Sequence, residues 1–376
     1  MTSRTAHSAH VIAARRSAVV PRGGALSGLD LHELAAPVLL ACLDDAGMAP
    51  ANVDEVILSN AMGGGGNPAR MATLWANLPD RIGGLSIDRQ CCGGLDAILL
   101  AQAMVVSGQA DVVLAGGAES YSRRPVRMRN PADGSPPEPY DQPPFAPWPN
   151  RDPDMADAAD ALARQLGIDR ERQDNWSTRS HAAALAARIE LAGEIVPMGA
   201  DAVAYDPFAR RLSPRLSDRA PVISGSITGA NTAVAADGAA FCLVVSDRVK
   251  SRLGVPSARI LGGASCGGPP EMPGIAPVAA IELALERTSL AATDLVAVEI
   301  MEAYAAQAIA CIEQAGLPPE IVNCKGGALA RGHPIGASGA VLAVRLYHDL
   351  RATGGRGLAA IAAAGGLGSA LVLEAD

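Results

Sequence analysis

The sequence predicts an α/β protein built from two homologous halves, and an internal repeat is the first observation behind this prediction. Ala36-Pro37-Val38 aligns with Ala276-Pro277-Val278 at a shift of 240 residues, and the similarity continues without a gap for more than twenty positions. Each copy contains an alanine-rich stretch of helical character, a short turn and a β-branched segment, at Val53 to Leu58 and at Leu295 to Ile300. A chain of 376 residues is longer than a domain with one hydrophobic core usually is, and this length agrees with two halves.

A second helix and a second strand extend the repeat in each half, at nearly the same shift. The helices are predicted at Gly94 to Val106 and Gly339 to Leu350, and the strands at Asp111 to Ala115 and Leu358 to Ala362. Cys91 precedes the first of these helices, and His333 precedes the second. A pseudo-twofold axis between the halves would bring the two helix starts together, so we expect Cys91 and His333 to lie close in space.

An insertion from about Glu119 to Ile223 interrupts the N-terminal half. Its proline-rich part, Pro131 to Pro153, excludes a regular helix or a central strand. A helix is predicted from Arg170 to Ala192, with Gly193 as its stop. The predicted divisions are residues 1–118 as the first part of the N-terminal half, 119–223 as an inserted loop domain, 224–250 as the remainder of the N-terminal half, and 251–376 as the C-terminal half.

The composition excludes several classes of protein. Lys and Arg total 31 and Asp and Glu total 39, and a net charge of −8 argues against a general nucleic-acid binder. The seven cysteines are odd in number and contain no C-x-x-C pair, which is typical of reduced thiols in the cytosol. The stretch Met1 to Arg16 lacks an apolar signal core, no apolar run reaches membrane-spanning length, and no spacing suggests a metal site. We therefore expect a cytoplasmic protein that binds no metal and does not associate with a membrane.

The sequence around Cys91 and His333 indicates acyl transfer through a covalent intermediate. Cys91 lies just before a glycine pair at a predicted helix start, and His333 lies in a Gly-His-Pro turn that also opens a helix. A thiol becomes a nucleophile when its pKa falls, and a helix N-terminus and an imidazole both lower it. If the fold brings the two segments together, Cys91 is the predicted nucleophile and His333 its activating group.

Five segments of the chain, in the same order, resemble the motifs of the thiolase family, and the resemblance covers nearly the whole length. The most specific is the last, which contains Gly332-His333-Pro334-Ile335-Gly336. The segments are Arg89-Gln90-Cys91 with Leu95, Gly116-Gly117-Ala118-Glu119-Ser120, Asp237-Gly238-Ala239-Ala240, Glu302-Ala303-Tyr304-Ala305-Ala306-Gln307, and Asn323 to Gly339.

The resemblance implies a thiolase fold of five layers, αβαβα, with an inserted loop domain and coenzyme A thioesters as substrates. It implies no permanently bound cofactor, and a homodimer or homotetramer. Carried over residue by residue, Cys91 takes the acyl group, His333 activates it, and the backbone N–H groups of Cys91 and Ala364 form an oxyanion hole. Arginines of the insertion are each typical of a solvated surface, but as a set they could hold the phosphates of coenzyme A; they are Arg123, Arg124, Arg127, Arg129, Arg210, Arg211, Arg215 and Arg219.

Three positions of the expected substrate pocket depart from the family pattern. Ala362 stands where the family has a second catalytic cysteine, which moves a proton in the carbon–carbon step. Met301 replaces the asparagine of the Asn-Glu-Ala-Phe segment, and Ala233-Val234 stands where the family has a small Ser/Gly pair. The residues for acylation of the enzyme are therefore retained, whereas residues for the step that forms or breaks the carbon–carbon bond are not. Three other thiols could substitute for the missing one, namely Cys92, Cys266 and Cys324.

Three functions remain open from the sequence. The first is a thiolase-like acyltransferase that loads an acyl group from an acyl-coenzyme A onto Cys91 and passes it to an unknown acceptor. The second is an ordinary acetyl-coenzyme A C-acyltransferase, or 3-ketoacyl-coenzyme A thiolase, that recruits another base. The third is a non-catalytic partner subunit that binds coenzyme A thioesters. The retained Cys91 and His333 favour the first, whereas Met301 and Ala362 favour the third.

Overall fold

The computed structural model describes residues 8–376. The first seven residues of the predicted N-terminal half, and of the stretch Met1 to Arg16, lie outside the described residues. Across the described part of the chain, no helix is both long enough and apolar enough to cross a membrane.

Helices and strands alternate along most of the described chain. The helices are α1 Leu31–Asp45, α2 Pro68–Trp75, α3 Gly93–Val106, α4 Met155–Leu166, α5 Arg170–Ala186, α6 Arg188–Leu191, α7 Pro214–Asp218, α8 Asp247–Leu253, α9 Ala276–Thr288, α10 Ala305–Gln314, α11 Ala328–Arg331 and α12 Ile335–Thr353. The strands are β1 Ala9–Ser17, β2 Val20–Pro21, β3 Glu55–Ser59, β4 Leu85–Ile87, β5 Val112–Glu119, β6 Arg127–Arg129, β7 Glu138–Tyr140, β8 Ile195–Val196, β9 Val222–Ser224, β10 Ile227–Thr228, β11 Ala236–Ser246, β12 Ala258–Gly267, β13 Ala297–Ile300, β14 Gly355–Ala363 and β15 Leu367–Ala375.

The main strands form one mixed sheet in each half. The N-terminal half has the order β4-β3-β5-β11-β1, and the C-terminal half has the order β12-β15-β14-β13. In both halves the strand that follows the repeated helix, β3 or β13, pairs in parallel with the strand that follows the central helix, β5 or β14. The two sheets meet where Ala9, His10 and Val11 of β1 pair with β12. The internal repeat thus corresponds to repeated topology.

Five layers result from this arrangement. Helices α3 and α12 pack against each other between the two sheets, whose inner faces supply residues to the same core, as Val113 and Ile361 do. Helices α1 and α2 cover the outer face of the N-terminal sheet, and α9 covers that of the C-terminal sheet. The predicted αβαβα fold class is therefore confirmed. The central layer matters for function because it contains the starts of both α3 and α12.

Two helix predictions need correction. The predicted helix Arg170 to Ala192 is divided, because α5 ends at Ala186 and Ala187 adopts φ −88 and ψ 1 before α6 begins. Helix α12 begins at Ile335, before the predicted start at Gly339. Gly339 lies inside this helix. A Cβ there would lie 2.5 Å from the backbone nitrogen of Leu95, so the glycine allows a close contact between helices and does not mark a helix start.

Candidate active site

Cys91 lies in a short 3-10 turn, Gln90–Cys92, that leads directly into α3. Gln90 adopts φ 45, a left-handed conformation that is uncommon for a residue with a side chain, and its N–H donates to Asp88 Oδ1 at 2.9 Å. The neighbouring thiols are oriented differently. Cys91 is partly buried beside a cavity, whereas Cys92 is fully buried with its Sγ 3.5 Å from the carbonyl oxygen of Ile361.

His333 lies between α11 and α12 in a turn that glycine makes possible. Gly332 adopts φ 111, and the N–H of His333 donates to the carbonyl of Val234 at 2.7 Å. These contacts place Nε2 of His333 3.1 Å from Sγ of Cys91, so the structure brings the two predicted residues together. The sequence separation of 242 residues is closed by the packing of α3 against α12.

Ser338 fixes the tautomer of His333. The hydroxyl of Ser338 donates to the carbonyl of Pro334 at 3.0 Å and lies 2.6 Å from Nδ1 of His333. A hydroxyl that donates to Pro334 can only accept from the ring, so we assign the proton of His333 to Nδ1 on this geometry. Nε2 then carries the lone pair, and it faces the Cys91 thiol. This is the arrangement in which an imidazole can remove a proton from a thiol.

Burial keeps both groups neutral at rest. It raises the pKa of the Cys91 thiol to about 12, with Glu119 and Asp88 as smaller contributions in the same direction, and it lowers the pKa of His333 to about 4. The lowered thiol pKa expected from the sequence is therefore wrong for the unliganded protein. The geometry favours transfer of the thiol proton to His333 while the thiol reacts, and not a thiolate that is already ionised before the substrate binds.

Glu119 connects the cavity wall to the helix that follows His333. Its carboxylate accepts from Gly336 N at 2.9 Å, from Asn60 Nδ2 at 2.7 Å, and from the N–H groups of Ala61 and Met62 at 3.2 Å. Burial raises the pKa of Glu119 to about 7, against the lowering effect of these four donors. The carboxylate thus holds residues 60–62 in a fixed position relative to the start of α12.

A cavity of about 450 Å³ opens onto the two predicted catalytic residues. Its walls are mostly apolar, and its charged side chains are Asp88 and Arg127. The lining residues are Ala61, Met62, Asp88, Gln90, Cys91, Arg127, Gln142, Pro143, Pro144, Phe145, Met155, Ala158, Ala159, Thr232, Ala233, Pro273, Gly274, Ala303, Tyr304, Gln307, His333, Ile335, Ala362, Ala363 and Ala364.

Most of the predicted pocket residues line this cavity, with one exception. Ala233, Ala362 and Ala364 lie in its wall. Met301 does not line the cavity, because its side chain points into the core between the sheets and is 1% exposed. Ala303, two residues later in the chain, does line the cavity. The assignment of Met301 to the substrate pocket is therefore corrected. The oxyanion hole at the N–H groups of Cys91 and Ala364 stays a prediction.

The thiols considered as substitutes for the missing cysteine lie elsewhere. Among the lining residues of this cavity, Cys91 is the one cysteine. Cys92 is in the core, and Cys324 is exposed with its Sγ 3.2 Å from the carbonyl of Glu320. Cys266 belongs to β12 and is partly buried beside the outer core of the C-terminal half. Within residues 8–376, no group of three or more His, Cys, Asp and Glu side chains could hold a metal ion.

Two residues with a role in this site were not assigned one from the sequence, and a third, Arg127, was assigned one only as a member of a set. Ser338 and Glu119 both belong to segments recognised above, but the hydrogen bonds that they form are visible only in three dimensions. A serine five residues after the histidine, within one turn of the same helix start, was the available signal for Ser338. Arg127 was one of eight similar arginines, and nothing in the sequence distinguished it.

Comparisons with known proteins show which family the chain resembles. The model of the thiolase N-terminal domain matches residues 9–248, and the model of the thiolase C-terminal domain matches residues 255–375. A Bacillus subtilis protein, YhfS, whose name assigns it provisionally as an acetyl-CoA C-acetyltransferase, is 36% identical over 373 residues, which cover 97% of this chain and 98% of the relative. Staphylococcus epidermidis VraB, with the same provisional assignment, is 34% identical over 381 residues, covering 97% of each.

A solved structure shows the same similarity in three dimensions. The crystal structure of the Bacillus anthracis acetyl-CoA acetyltransferase superposes with a TM-score of 0.93 at 34% sequence identity, over 100% of both chains. Family models cover both halves, and the relatives match over nearly their full length. The chain therefore belongs to the thiolase family.

Proposed function

We propose that this thiolase-family enzyme is an acyltransferase that takes an acyl group from an acyl-coenzyme A onto Cys91 and transfers it to an acceptor. The observation that carries the proposal is the 3.1 Å contact between Cys91 Sγ and His333 Nε2, with the tautomer of His333 fixed by Ser338. The names of the relatives, which assign acetyl transfer from acetyl-CoA, support the same class of reaction.

The loading step uses both Cys91 and His333. Nε2 of His333 accepts the thiol proton while Sγ of Cys91 attacks the thioester carbonyl. The tetrahedral oxyanion is stabilised by the N–H groups of Cys91 and Ala364, two residues that line the cavity. The coenzyme A thiolate then leaves and takes the proton back from His333. The products are an acyl group on Cys91 and free coenzyme A, and no cofactor is consumed.

The transfer step differs from that of an ordinary thiolase. Ala362 cannot move a proton, and the cavity offers no second cysteine. The acceptor is therefore a nucleophile that His333 can deprotonate, such as an amine, alcohol or thiol, or a carbon nucleophile that is acidic by itself. The partners that we propose are an acyl-coenzyme A, this acceptor, and further copies of the chain in a homo-oligomer.

A second candidate function is ordinary acetyl-coenzyme A C-acetyltransferase activity, which the names of the relatives favour. Cleavage of acetoacetyl-coenzyme A, assayed beside an authentic thiolase, separates the two candidates. A comparable rate would establish the second candidate, and a rate near background would exclude it.

Intact-protein mass spectrometry tests the proposed loading step directly. The protein is incubated with acetyl-coenzyme A and with longer acyl thioesters, together with Cys91→Ala and Cys324→Ala variants. We expect an acyl mass on the native protein and on the variant at the exposed Cys324, and none on Cys91→Ala. If no donor gives an adduct, the proposal is wrong and a role as a non-catalytic thioester-binding subunit is favoured instead.

A further inference from the structure

We propose that Arg127 binds a carboxylate carried by the acyl group, so that the preferred donor is a coenzyme A monothioester of a dicarboxylic acid. The inference rests on the proposed function, because it concerns the acyl group that Cys91 would receive. It names the substrate class that the cavity selects and a residue that determines this specificity.

Arg127 is held in the cavity wall by one strong and one weak contact. Its Nη2 donates to the carbonyl oxygen of Ala61 at 2.9 Å, and its Nη1 lies 3.9 Å from the sulfur of Met62. A guanidinium has five N–H donors. These two contacts leave three donors of a partly buried side chain without a protein acceptor, on a residue that borders the same cavity as Cys91.

Two neighbouring arginines have the carboxylate partner that Arg127 lacks. Arg123 pairs with Asp30 at 2.6 Å, and Arg124 pairs with Asp141 at 3.3 Å. Arg129, on the same strand β6, stacks over the ring of Tyr140 at 5.7 Å. For Arg127, no carboxylate among residues 8–376 lies within ion-pair distance, so its charge is uncompensated within the chain.

The position of Arg127 is tied to that of the reacting atoms. Its acceptor, Ala61, donates its own N–H to Glu119, and Glu119 also accepts from Gly336 at the start of α12. One carboxylate therefore fixes both the loop that holds Arg127 and the helix that follows His333. A charge held in this way can select a substrate group by position, because its orientation does not have to be set on binding.

The chemistry of the cavity agrees with one anionic group at the acyl end. The walls of the cavity that contains Cys91 include apolar side chains such as Phe145, Met155 and Ala362, which suit a hydrocarbon chain. The other charged lining residue, Asp88, is exposed, and its Oδ1 already accepts from Gln90 N. A carboxylate is planar and matches the two-pronged donor geometry of a guanidinium. The phosphates of coenzyme A are the other anionic source, and the experiment separates the two.

The test compares pairs of donors that differ only at the far end of the acyl chain. Succinyl-, glutaryl- and adipyl-coenzyme A are matched with butyryl-, pentanoyl- and hexanoyl-coenzyme A, and rates of loading are followed by rapid quench and intact mass. The proteins are the native chain, Arg127→Gln, Arg127→Lys, and Arg129→Gln, which removes the same charge from the same strand outside the cavity.

We expect the native protein to load one of the dicarboxylic donors on the order of 10- to 100-fold faster than its neutral match, as for a charge-assisted pair. Arg127→Gln should lose loading rate with the dicarboxylic donor and so abolish this preference, and circular dichroism checks that the variant is folded. Arg127→Lys should retain part of the preference, and Arg129→Gln all of it.

Two results would overturn the inference and leave the proposed function standing. One is a native protein that loads each neutral donor as fast as its dicarboxylic match. The other is an Arg127→Gln variant that loses rate equally with both, which would assign Arg127 to the phosphates common to all donors. Absence of loading with every donor would instead overturn the proposed function, and this inference with it.

Discussion

The Cys91–His333 pair shows how single residues set the resting state of the site. Burial raises the pKa of Cys91 to about 12 and lowers that of His333 to about 4, so both groups stay neutral, with one proton between Sγ and Nε2, over a wide range of pH. Ser338 decides which nitrogen of His333 faces the thiol. Chemistry in the site then depends on the transfer of that proton between two neighbours, and not on the fraction of free thiolate.

The first prediction at this scale concerns pH. The rate of acyl loading should be nearly constant from about pH 5 to about pH 9 and should fall as the pH drops through about 4, where His333 becomes protonated and can no longer accept a proton. Loading is measured by rapid quench and intact mass at low donor concentration, with circular dichroism to confirm folding at each pH. The pKa of Glu119 is itself raised to about 7, so Glu119→Gln is measured alongside, and a limb centred near pH 7 that persists in this variant would contradict the neutral pair.

The second prediction concerns the missing thiol. Ala362→Cys places a thiol in the wall of the cavity that contains Cys91, at the position of the family's second cysteine. We expect exchange of the α-protons of acetyl-coenzyme A in D₂O to increase by on the order of 10²-fold, the typical contribution of a positioned acid or base. Ala233→Cys adds a thiol to another part of the same wall and is the control. Equal exchange by both variants, or none by either, would argue against Ala362 as the missing position.

At the scale of elements, two glycines allow α3 and α12 to approach each other closely. A Cβ at Gly94 would lie 2.6 Å from the backbone nitrogen of Ala340, and one at Gly339 would lie 2.5 Å from that of Leu95. The contacts are reciprocal, as the pseudo-twofold relation of the two halves requires. This close packing is what places the start of one helix, with Cys91, against the start of the other, with His333.

The third prediction follows from this helix contact. Gly339→Ala should lower the free energy of unfolding by at least about 2 kcal/mol, because backbone atoms cannot move aside as a side chain can. Loading of Cys91 should fall with it, since the helices must separate. Urea denaturation and intact mass measure the two effects, and Gly28→Ala, where nothing lies within 4 Å, is the control. A Gly339→Ala protein as stable and active as the control would contradict this account of the helix contact.

At the scale of the whole molecule, a buried network of charges connects the two halves. Glu194, from the inserted region, accepts from Arg16 Nε of β1 at 2.6 Å and also pairs with Arg345 of α12. Arg16 pairs in addition with Asp206 at 2.8 Å, and Arg345 pairs with Asp349 at 2.7 Å. Strand β1, the insertion and α12 are therefore joined where solvent does not reach.

The fourth prediction is a loss of stability in acid. Burial acts to raise the pKa of Glu194, but Arg345 and Arg16 outweigh it and lower this pKa from 4.5 to about 2. A lowered pKa contributes stability that is complete above 4.5 and is lost as the pH falls toward 2, on the order of 3 kcal/mol for this group.

Urea denaturation at about pH 6 and about pH 3 measures this loss. Glu194→Gln should be less stable at the higher pH, since it leaves two arginines partly unpaired, but should lose less between the two pH values than the native protein. A native-sized loss in Glu194→Gln would show that other carboxyl groups cause the acid sensitivity.

The two-half architecture, the fold class and the pairing of Cys91 with His333 could all be predicted from the sequence. These follow from local patterns, because a repeated helix–strand motif implies repeated topology, and a twofold relation implies that equivalent helix starts meet. The order of the motifs was enough to place the chain in its family, and the loss of a thiol at Ala362 could be read directly from the sequence.

The groups that act on that pair became visible in the folded protein alone. The burial of Met301, the tautomer set by Ser338, the link made by Glu119 and the unpaired charge of Arg127 depend on contacts between residues far apart in sequence, or on the direction of one side chain. The pKa values of Cys91 and His333 likewise follow from burial. The burial of a side chain cannot be inferred from a helix start or from the neighbouring residues in the sequence. Sequence pattern specifies where elements lie, whereas the reactivity of a side chain depends on the environment that the packed elements create around it.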